Sequence, residues 1–499
     1  MYLFRAVNLA SKVYQWKSSR NLLSLAIPVA YSLYIVISCS KSRQQHKKSP
    51  PKVAFSLPLF GHNLYMLFFS SRFLDWCTET YGELFDLNLM GKTVTIASGQ
   101  CALEVLKADH RVLSTVEGTI IGKLPFAPYP NALTIVYADI LHLDYIIDRT
   151  VLDMLHKEGA GMIRRTIVKS NMPELMERMI AGFDYGLGCF ASDSVAAPIG
   201  DPIHFFRKLT TSMAAPCLFG REVGSDPVLL SSLPNFIVCL MKNTGCYYLA
   251  PRIFHRFLTP FLFNVQYYFQ IGHSRLQPII YRRRAKMAEA TARRESHNLE
   301  MDILQRLLEC VKSDGTQYND EEITQSLMVL SFVAVHVTSS NMAMTFYWLL
   351  ARPDLKKRLE MEIKEILGDG PITEEGLDKM EFLNSFLHET LRHSQDIVSN
   401  RKKALMDFNF INGYQILKGC VIETANRQLN MGLYAGASTA EKFSPSITKG
   451  HLLTRPTKKF VTFGVGKNVC PVMPAKFRIK SIHGGSPNKN SLDTVVTGL

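Results

Sequence analysis

The chain has 499 residues, of which 47% are hydrophobic and 20% charged, so it can build one large core or two domains and is not globally disordered. Its formal net charge of +14 suits an anionic membrane surface or an acidic protein partner. No helix-turn-helix, zinc-finger or RNA-binding signature is present, so we expect no nucleic-acid partner. The ten cysteines contain no C-x-x-C pair and indicate free thiols in a reducing compartment.

A short N-terminal segment, residues 1–20, precedes the uncharged stretch "NLLSLAIPVAYSLYIVISCS" at 21–40. Twenty such residues can cross a bilayer as a helix of about 30 Å. The stretch is longer than the apolar core of a signal peptide and has basic residues on both sides, so it predicts a single transmembrane helix. A buried core helix is the alternative. Residues 41–54, which include "KKSPPK", predict a basic, proline-stiffened hinge.

From about residue 55 the pattern predicts one large, mainly helical domain with small β-sheets. The alternation in "KTVTIAS" at 92–98 predicts a strand, and "CALEVLKAD" at 101–109 has helical spacing. Residues 150–310 are predicted to be mostly helical. The basic run "YRRRAKMAEATARR" at 281–294 is either a solvated helix face or a contact for an acidic partner or the membrane surface.

Two long helices are predicted over 320–367. The first carries almost no charge after Glu322, which predicts a buried helix because a helix that is apolar all round must be covered on every side. Pro353 fits the first turn of the second helix, and Gly368 fits its end. Another helix, at 379–394, precedes "FNFINGYQI", whose Asn-Gly pair predicts a hairpin turn.

The loop "FVTFGVGKNVCP" at 460–471 contains the pattern F-G-x-G-x-x-x-C. Gly464 and Gly466 allow the backbone to approach a flat object closely. A thiolate at the end of such a loop can bind iron, and neighbouring N–H groups would tune its electron donation. From composition alone, Cys470 is either such a ligand or a small buried thiol.

Two upstream features carry polar groups in helices. Glu389 and Arg392 are three residues apart, so they share a helix face and can pair, although ordinary surface pairs have the same spacing. In "AVHVTSS" at 334–340, Thr338 is a polar residue in the middle of the apolar helix. Its hydroxyl either bonds back to the carbonyl four residues earlier or belongs to a distorted helix that holds an oxygen ligand and relays protons.

The order and spacing of these three features resemble the cytochrome P450 superfamily, from the membrane anchor through Cys470. The resemblance implies a mainly α fold with small β-sheets, in which an N-terminal membrane anchor helix precedes a heme-thiolate catalytic domain at 55–471. The stretches "FVAVHVTSS", "SFLHETLRHS", "RKKALMDFNFINGYQILKGCVI" and "KKFVTFGVGKNVCP" are most similar to fungal microsomal enzymes of secondary metabolism. The best-known relatives of those enzymes oxidise terpenoid skeletons.

In that family the loop cysteine is the axial thiolate ligand of a heme b, so the resemblance gives this role to Cys470. Phe463 would pack against the thiolate region, and Gly464 and Gly466 would complete the heme-binding loop. Arg164, in "GMIRRTIVKS", would contact a heme propionate.

The resemblance also implies roles on two helices. Thr338 matches the threonine that helps to deliver protons, and Ala334 matches the alanine close to the oxygen site. Glu389 and Arg392 match a buried structural ion pair behind the heme. The implied activity is that of a membrane-bound monooxygenase that oxidises a lipophilic small molecule with O2 and electrons from an NADPH–cytochrome P450 reductase docked on a basic face. The expected location is the endoplasmic reticulum membrane, with the catalytic domain in the cytosol.

Several positions depart from the family pattern. Val472 stands where glycine is expected, Asn468 replaces a common arginine or histidine, and Val337 replaces an acidic or hydroxyl residue. Ile447 stands at the position of the arginine that joins the E-x-x-R pair. If the pair is buried with no third partner, its network is incomplete, and partly satisfied buried polar networks are costly. The tail at 472–499 has the composition of a loop and is interpreted as an altered or truncated C-terminus.

These departures leave two further hypotheses open. One is an inactive or heme-poor relative that serves as a membrane-bound binding protein. The other is a heme-thiolate isomerase or dehydratase that needs no reductase. The segments expected to contact substrate, around 113–135 and 228–250, are apolar and aromatic and suit a lipophilic ligand.

Overall fold

The computed structural model describes residues 49–470 with internal gaps. The gaps are 58–60, 90–91, 116, 119–150, 152–153, 155–159, 169–170, 192–200, 250–264, 298, 313, 395–398, 433–442, 446–459 and 466–469. The predicted anchor helix at 21–40, most of the hinge and the tail at 472–499 lie outside the described residues.

Helices make up most of the described chain, as predicted. They are α1 (Asn63–Tyr81), α2 (Gly99–Lys107), α3 (Ala160–Thr166), α4 (Met172–Ala191), α5 (Pro202–Phe219), α6 (Arg221–Gly224), α7 (Pro227–Leu249), α8 (Val265–Arg293), α9 (Ile303–Glu309), α10 (Asp320–Ala351), α11 (Pro353–Ile366), α12 (Glu374–Lys379), α13 (Glu381–Ser394) and α14 (Asn426–Gly432).

Two small sheets accompany the helices. Their strands are β1 (Leu84–Leu89), β2 (Lys92–Ala97), β3 (Leu113–Ser114), β4 (Ser399–Ala404), β5 (Phe408–Asn409), β6 (Gln415–Ile416) and β7 (Val421–Thr424). One sheet has the order β1-β2-β7-β4-β3, with only the β2–β7 pair parallel. Strands β5 and β6 form a hairpin, and Gly413 takes the positive φ of 88° that its turn requires. The predicted strand at 92–98 and the predicted hairpin are confirmed.

Helix α10 begins at a capping box and packs against α5, α8 and α13. The Asn319 side chain accepts the Glu322 N–H, and the Glu322 carboxylate accepts the Asn319 N–H, both at 2.8 Å. Its first half is buried, but its second half exposes apolar side chains, so the expectation of complete burial was wrong for that half. Among the described helices α10 alone is long and apolar enough to cross a membrane, yet its packing is that of a core helix.

The basic run at 281–294 forms the end of α8, and most of it is exposed, as a solvated helix face would be, but two of its arginines make internal ion pairs. Arg283 makes two hydrogen bonds to the fully buried Asp302, at 2.7 and 2.8 Å. Arg284 lies 3.2 Å from Asp320, at the first turn of α10. These arginines therefore fasten α8 to its neighbours inside the protein, which sequence periodicity could not distinguish from an exposed basic face.

Candidate active site

The loop that ends at Cys470 lies on one face of α13. Leu387 and Leu391 of that helix pack against Phe460 and Phe463 of the loop. The ring of His388 stacks on Phe460 with centroids 3.8 Å apart. The helix that carries the E-x-x-R pair therefore supports the cysteine loop, because apolar residues on one face of α13 pack against the two phenylalanines of the loop.

Hydrogen bonds fix the shape of this loop. The buried Asn430 of α14 accepts the Val461 N–H at 3.2 Å. The Gly464 N–H donates to the Val461 carbonyl at 2.8 Å, and Gly464 has a positive φ of 79°, which glycine adopts without strain. The Cys470 N–H donates to the Phe463 carbonyl at 2.8 Å, so the cysteine is held beside the phenylalanine. The Cys470 side chain is half-buried.

Glu389 and Arg392 form a completely buried ion pair within α13. The Arg392 Nε and Nη2 atoms donate to the two Glu389 carboxylate oxygens at 2.8 and 2.7 Å. Both side chains have 0% exposure. A bidentate guanidinium–carboxylate pair of this kind is strong but needs its remaining hydrogen-bonding capacity filled, because desolvation of both charges is costly.

Three further groups complete the pair. The Ser444 N–H donates to Glu389 Oε1 at 2.9 Å, and the His393 ring nitrogen lies 3.3 Å from the same oxygen. Arg392 Nη1 donates to the Met431 sulfur at 2.8 Å. The buried pair therefore has a third partner other than the usual arginine: a backbone N–H from "FSPSIT" supplies it. Position 447 itself lies outside the described residues.

The electrostatics of Glu389 follow from these contacts. Burial is the largest influence and raises the pKa of its carboxyl. Hydrogen bonds from Arg392, His393 and the Ser444 N–H act in the opposite direction and together bring the pKa down to about 2, against an ordinary value of 4.5. Glu389 is therefore ionised throughout the physiological pH range, and the network is a permanent structural element rather than a proton donor.

The middle of α10 presents a half-open apolar strip. Val333 and Val337 are 55% and 56% exposed, while Ala334 and Thr338 beside them are half-buried. The neighbouring Ser339 hydroxyl donates to the His336 carbonyl at 3.0 Å. Among the described residues Thr338 makes no such bond, so its hydroxyl is not used to satisfy the helix backbone.

Two more of the predicted site residues are Arg164 and Gly466. Arg164 lies in the last turn of α3 and is half-buried. Gly466 lies outside the described residues, as do Asn468 and Val472. Sequence reasoning missed Asn430, Ser444 and Met431, since a buried amide, a backbone N–H and a thioether carry no motif of their own.

The family comparison agrees with this arrangement. A family model of cytochrome P450 matches residues 187–472, more than half of the chain. Cytochrome P450 monooxygenase pyr3 of Aspergillus fumigatus is 24% identical over 61% of this chain and 60% of its own length. Lanosterol 14-alpha demethylase of Mus musculus is 25% identical over 85% of this chain and 78% of its own length. A bifunctional cytochrome P450/NADPH–P450 reductase of Fusarium oxysporum is 28% identical, and this chain spans only 17% of it.

A solved structure shows the same fold. Cyanobacterial CYP120A1 with bound retinoic acid superimposes with a TM-score of 0.61 at 19% identity, covering 86% of this chain and 88% of that one. The helical body, the small sheets and the thiol loop on a helix with a buried ion pair define the heme-thiolate class of proteins. The chain belongs to the cytochrome P450 family, whose members bind heme iron through a cysteine thiolate.

The residues present fit that cofactor. Among the described residues no group of three or more His, Cys, Asp or Glu side chains could hold a bare metal ion. A single soft thiolate would suffice to hold iron that a macrocycle already binds. The exposed valines of α10 offer an apolar face suited to a flat hydrophobic group. Cys470 is the residue that would hold the iron.

Proposed function

We propose that this protein is a membrane-bound heme-thiolate monooxygenase that oxidises a lipophilic small molecule with O2 and NADPH-derived electrons. The observation that carries the proposal is the seating of the Cys470 loop on α13, where a fully satisfied Glu389–Arg392 pair fixes the helix beneath it. When bound, heme supplies the oxidising chemistry, and thiolate ligation favours cleavage of the O–O bond.

The chain's own residues hold and move protons and exclude water. The Thr338 hydroxyl is the proton-relay group in this proposal, since it is half-buried and does not bond back to its helix. Ala334 keeps the adjacent surface small enough for oxygen to approach. Val333 and Val337 keep the surroundings apolar and favour a lipophilic substrate over water.

Membrane attachment belongs to the same proposal. The stretch at 21–40 is the proposed anchor, and the first described residues, from 49 on, belong to the end of its basic hinge. Close behind it, Phe55, Phe68 and Phe69 are 55%, 67% and 61% exposed. Large exposed aromatic side chains near an anchor favour contact with the bilayer interface. We place the catalytic domain on the cytosolic side of the endoplasmic reticulum.

A reductase and a class of substrate complete the proposal. The net charge of +14 favours docking of an acidic electron donor, and the Fusarium relative is by name a fusion of a P450 with an NADPH–P450 reductase. The mouse relative is by name a lanosterol demethylase, and lanosterol is a lipophilic sterol. Together with similarity to a fungal monooxygenase, this supports a terpenoid substrate in secondary metabolism.

The direct test is the absorption spectrum of the reduced, carbon-monoxide-bound full chain. We expect a thiolate-type Soret band that is lost in Cys470→Ala. Cys420→Ala is the matched control, because Cys420 is also a half-buried free thiol but lies beside β7. Folded wild-type protein without the band, or an unchanged band in Cys470→Ala, would overturn the proposal.

Dependence of product formation on NADPH and a reductase tests the reaction type. We expect oxidised product only when both are present, with consumption of one O2 per product. Product formed from a lipophilic substrate without NADPH would instead identify an isomerase or dehydratase.

A further inference from the structure

The end of α8 carries the sequence Arg293-Arg294-Glu295-Ser296, which no part of the heme site uses. Helix α8 ends at Arg293 with two backbone bonds that reverse the chain. The Arg294 N–H donates to the Thr291 carbonyl at 3.1 Å, and the Glu295 N–H donates to the Ala290 carbonyl at 2.9 Å. These bonds form a Schellman motif, which stops the helix abruptly.

Arg294 occupies the position of that motif at which glycine is normally found. Its φ is +57°, and among the described residues only Phe55 shares a positive φ without being glycine. An L-residue in the left-handed region is strained, so the presence of arginine here calls for a reason beyond ending the helix. The conformation directs the chain away from the helix axis immediately before Ser296.

The segment is open to solvent. Residues 291–296 are all exposed, and 295–297 have no regular secondary structure. Arg293 pairs with a surface carboxylate, Glu289, at 2.6 Å with side-chain exposures of 64% and 59%, and such a pair is weak enough to exchange partners. The serine hydroxyl and the two guanidinium groups are therefore exposed close together in the chain, where α8 ends and an irregular segment begins.

We propose that Ser296 is a phosphorylation site for an arginine-directed serine/threonine protein kinase. Arginines two and three residues before the serine can form charge-assisted, bidentate bonds with carboxylates in a kinase's peptide groove. The Ser296 oxygen forms the new bond to the γ-phosphorus of ATP. The bond from that phosphorus to the bridging oxygen of ADP breaks, and the serine proton passes to a carboxylate of the kinase.

Phosphorylation would add negative charge to the segment that follows α8. The other end of that segment, at Glu300, already pairs with arginines. Four residues after Ser296, Glu300 lies 2.8 Å from Arg178 and 3.4 Å from Arg283. A phosphoserine adds a charge of roughly −1.5 to −2 and three strong acceptor oxygens. The phosphate would compete with Glu300 for nearby arginines such as Arg283. Phosphorylation can therefore change how α4, α8 and α9 pack together.

The test uses the purified full chain with heme, ATP and the catalytic subunit of an arginine-directed kinase. Phosphopeptide mass spectrometry is expected to find phosphate on Ser296, and Ser296→Ala should abolish that signal. Arg294→Gly is the sharper variant, because glycine suits the positive φ and keeps the helix end intact. Loss of its guanidinium should slow phosphorylation by about tenfold.

Ser231→Ala is the matched control, since Ser231 is exposed but lies within α7 and donates to the Val228 carbonyl. That variant should be phosphorylated like the wild type. The proposal is overturned if Ser296 stays unmodified in folded protein. A full phosphorylation rate in Arg294→Gly would overturn it equally, since the arginine would then have no part in recognition.

Discussion

Two buried arginine–carboxylate pairs lie in different parts of the molecule and differ in how they are built. Glu389 and Arg392 are three residues apart on α13, beneath the Cys470 loop. Arg283 and Asp302 are 19 residues apart and join the end of α8 to the start of α9. In both, the carboxylate has 0% exposure and accepts two bonds from one guanidinium.

The surroundings give the two carboxylates opposite pKa directions. For Glu389, bonds from the arginine, a histidine and a backbone N–H outweigh burial and lower the pKa. For Asp302, burial dominates and raises the pKa, although Arg283 and the Gln305 N–H oppose it, and the like charge of Glu300 adds to the rise. Because both carboxylates accept several bonds, the opposite directions come from the balance of influences: at Asp302 burial and the like charge of Glu300 outweigh the bonds, whereas at Glu389 the bonds outweigh burial.

The largest effect is expected for Glu389→Gln. The substitution removes the carboxylate charge and leaves Arg392 buried without an anion, which costs about 3–5 kcal/mol of unfolding free energy. Because α13 seats the cysteine loop, heme retention should fall with stability. Urea unfolding and heme content per folded protein measure the two losses. Wild-type heme content per folded protein in this variant would show that the Glu389–Arg392 pair is not needed for the cysteine loop to retain heme.

A somewhat smaller loss is expected for Asp302→Asn. Its amide can still accept one bond from Arg283 and can still cap α9 through the Gln305 N–H, so we expect about 2–3 kcal/mol of destabilisation. The Soret band of the folded fraction should be unchanged, because this pair does not touch the heme site. Glu300→Gln, at a side chain 26% exposed, should cost less and serves as the control.

Acid unfolding sharpens the contrast between the pairs. The pKa of Glu389 is about 2 in the folded protein and near 4.5 when unfolded, so its contribution is complete above about pH 4.5 and is lost as the pH falls toward 2. We expect the wild type to lose stability through this window and Glu389→Gln to show a flatter profile there. The unfolding free energy of both proteins is to be measured by urea titration at a series of pH values. If it falls equally steeply with pH in the wild type and in Glu389→Gln, the assigned network is contradicted.

The smallest effect is expected at Lys402, a buried charge without a paired anion. Its Nζ donates to the Val105 carbonyl at 2.7 Å, and no carboxylate lies within ion-pair distance of it among the described residues. Burial lowers its pKa to about 8, so stability should rise as the pH increases from about 8 toward 10.5. Lys402→Met should be neutral or mildly stabilising at neutral pH and should remove that alkaline rise in thermal unfolding.

The sequence predicts what depends on local spacing. The pair on α13, the strand at 92–98, the hairpin turn at Gly413 and the long helix α10 all follow from residues close together in the chain. The Arg283–Asp302 pair, the Ser444 N–H and the open strip on α10 depend on tertiary contacts and left no local pattern. For the same reason the basic run was open to two interpretations, neither of which included internal fastening.

Heme content of the paired variants tests most directly whether α13 builds the cysteine site. Glu389→Gln and Asp302→Asn are to be compared at matched folded fractions by the thiolate-type Soret absorbance of the reduced, carbon-monoxide-bound protein. We predict that absorbance per folded molecule falls several-fold in Glu389→Gln and stays at the wild-type value in Asp302→Asn. Equal absorbance in the two variants would contradict a specific role for the α13 pair.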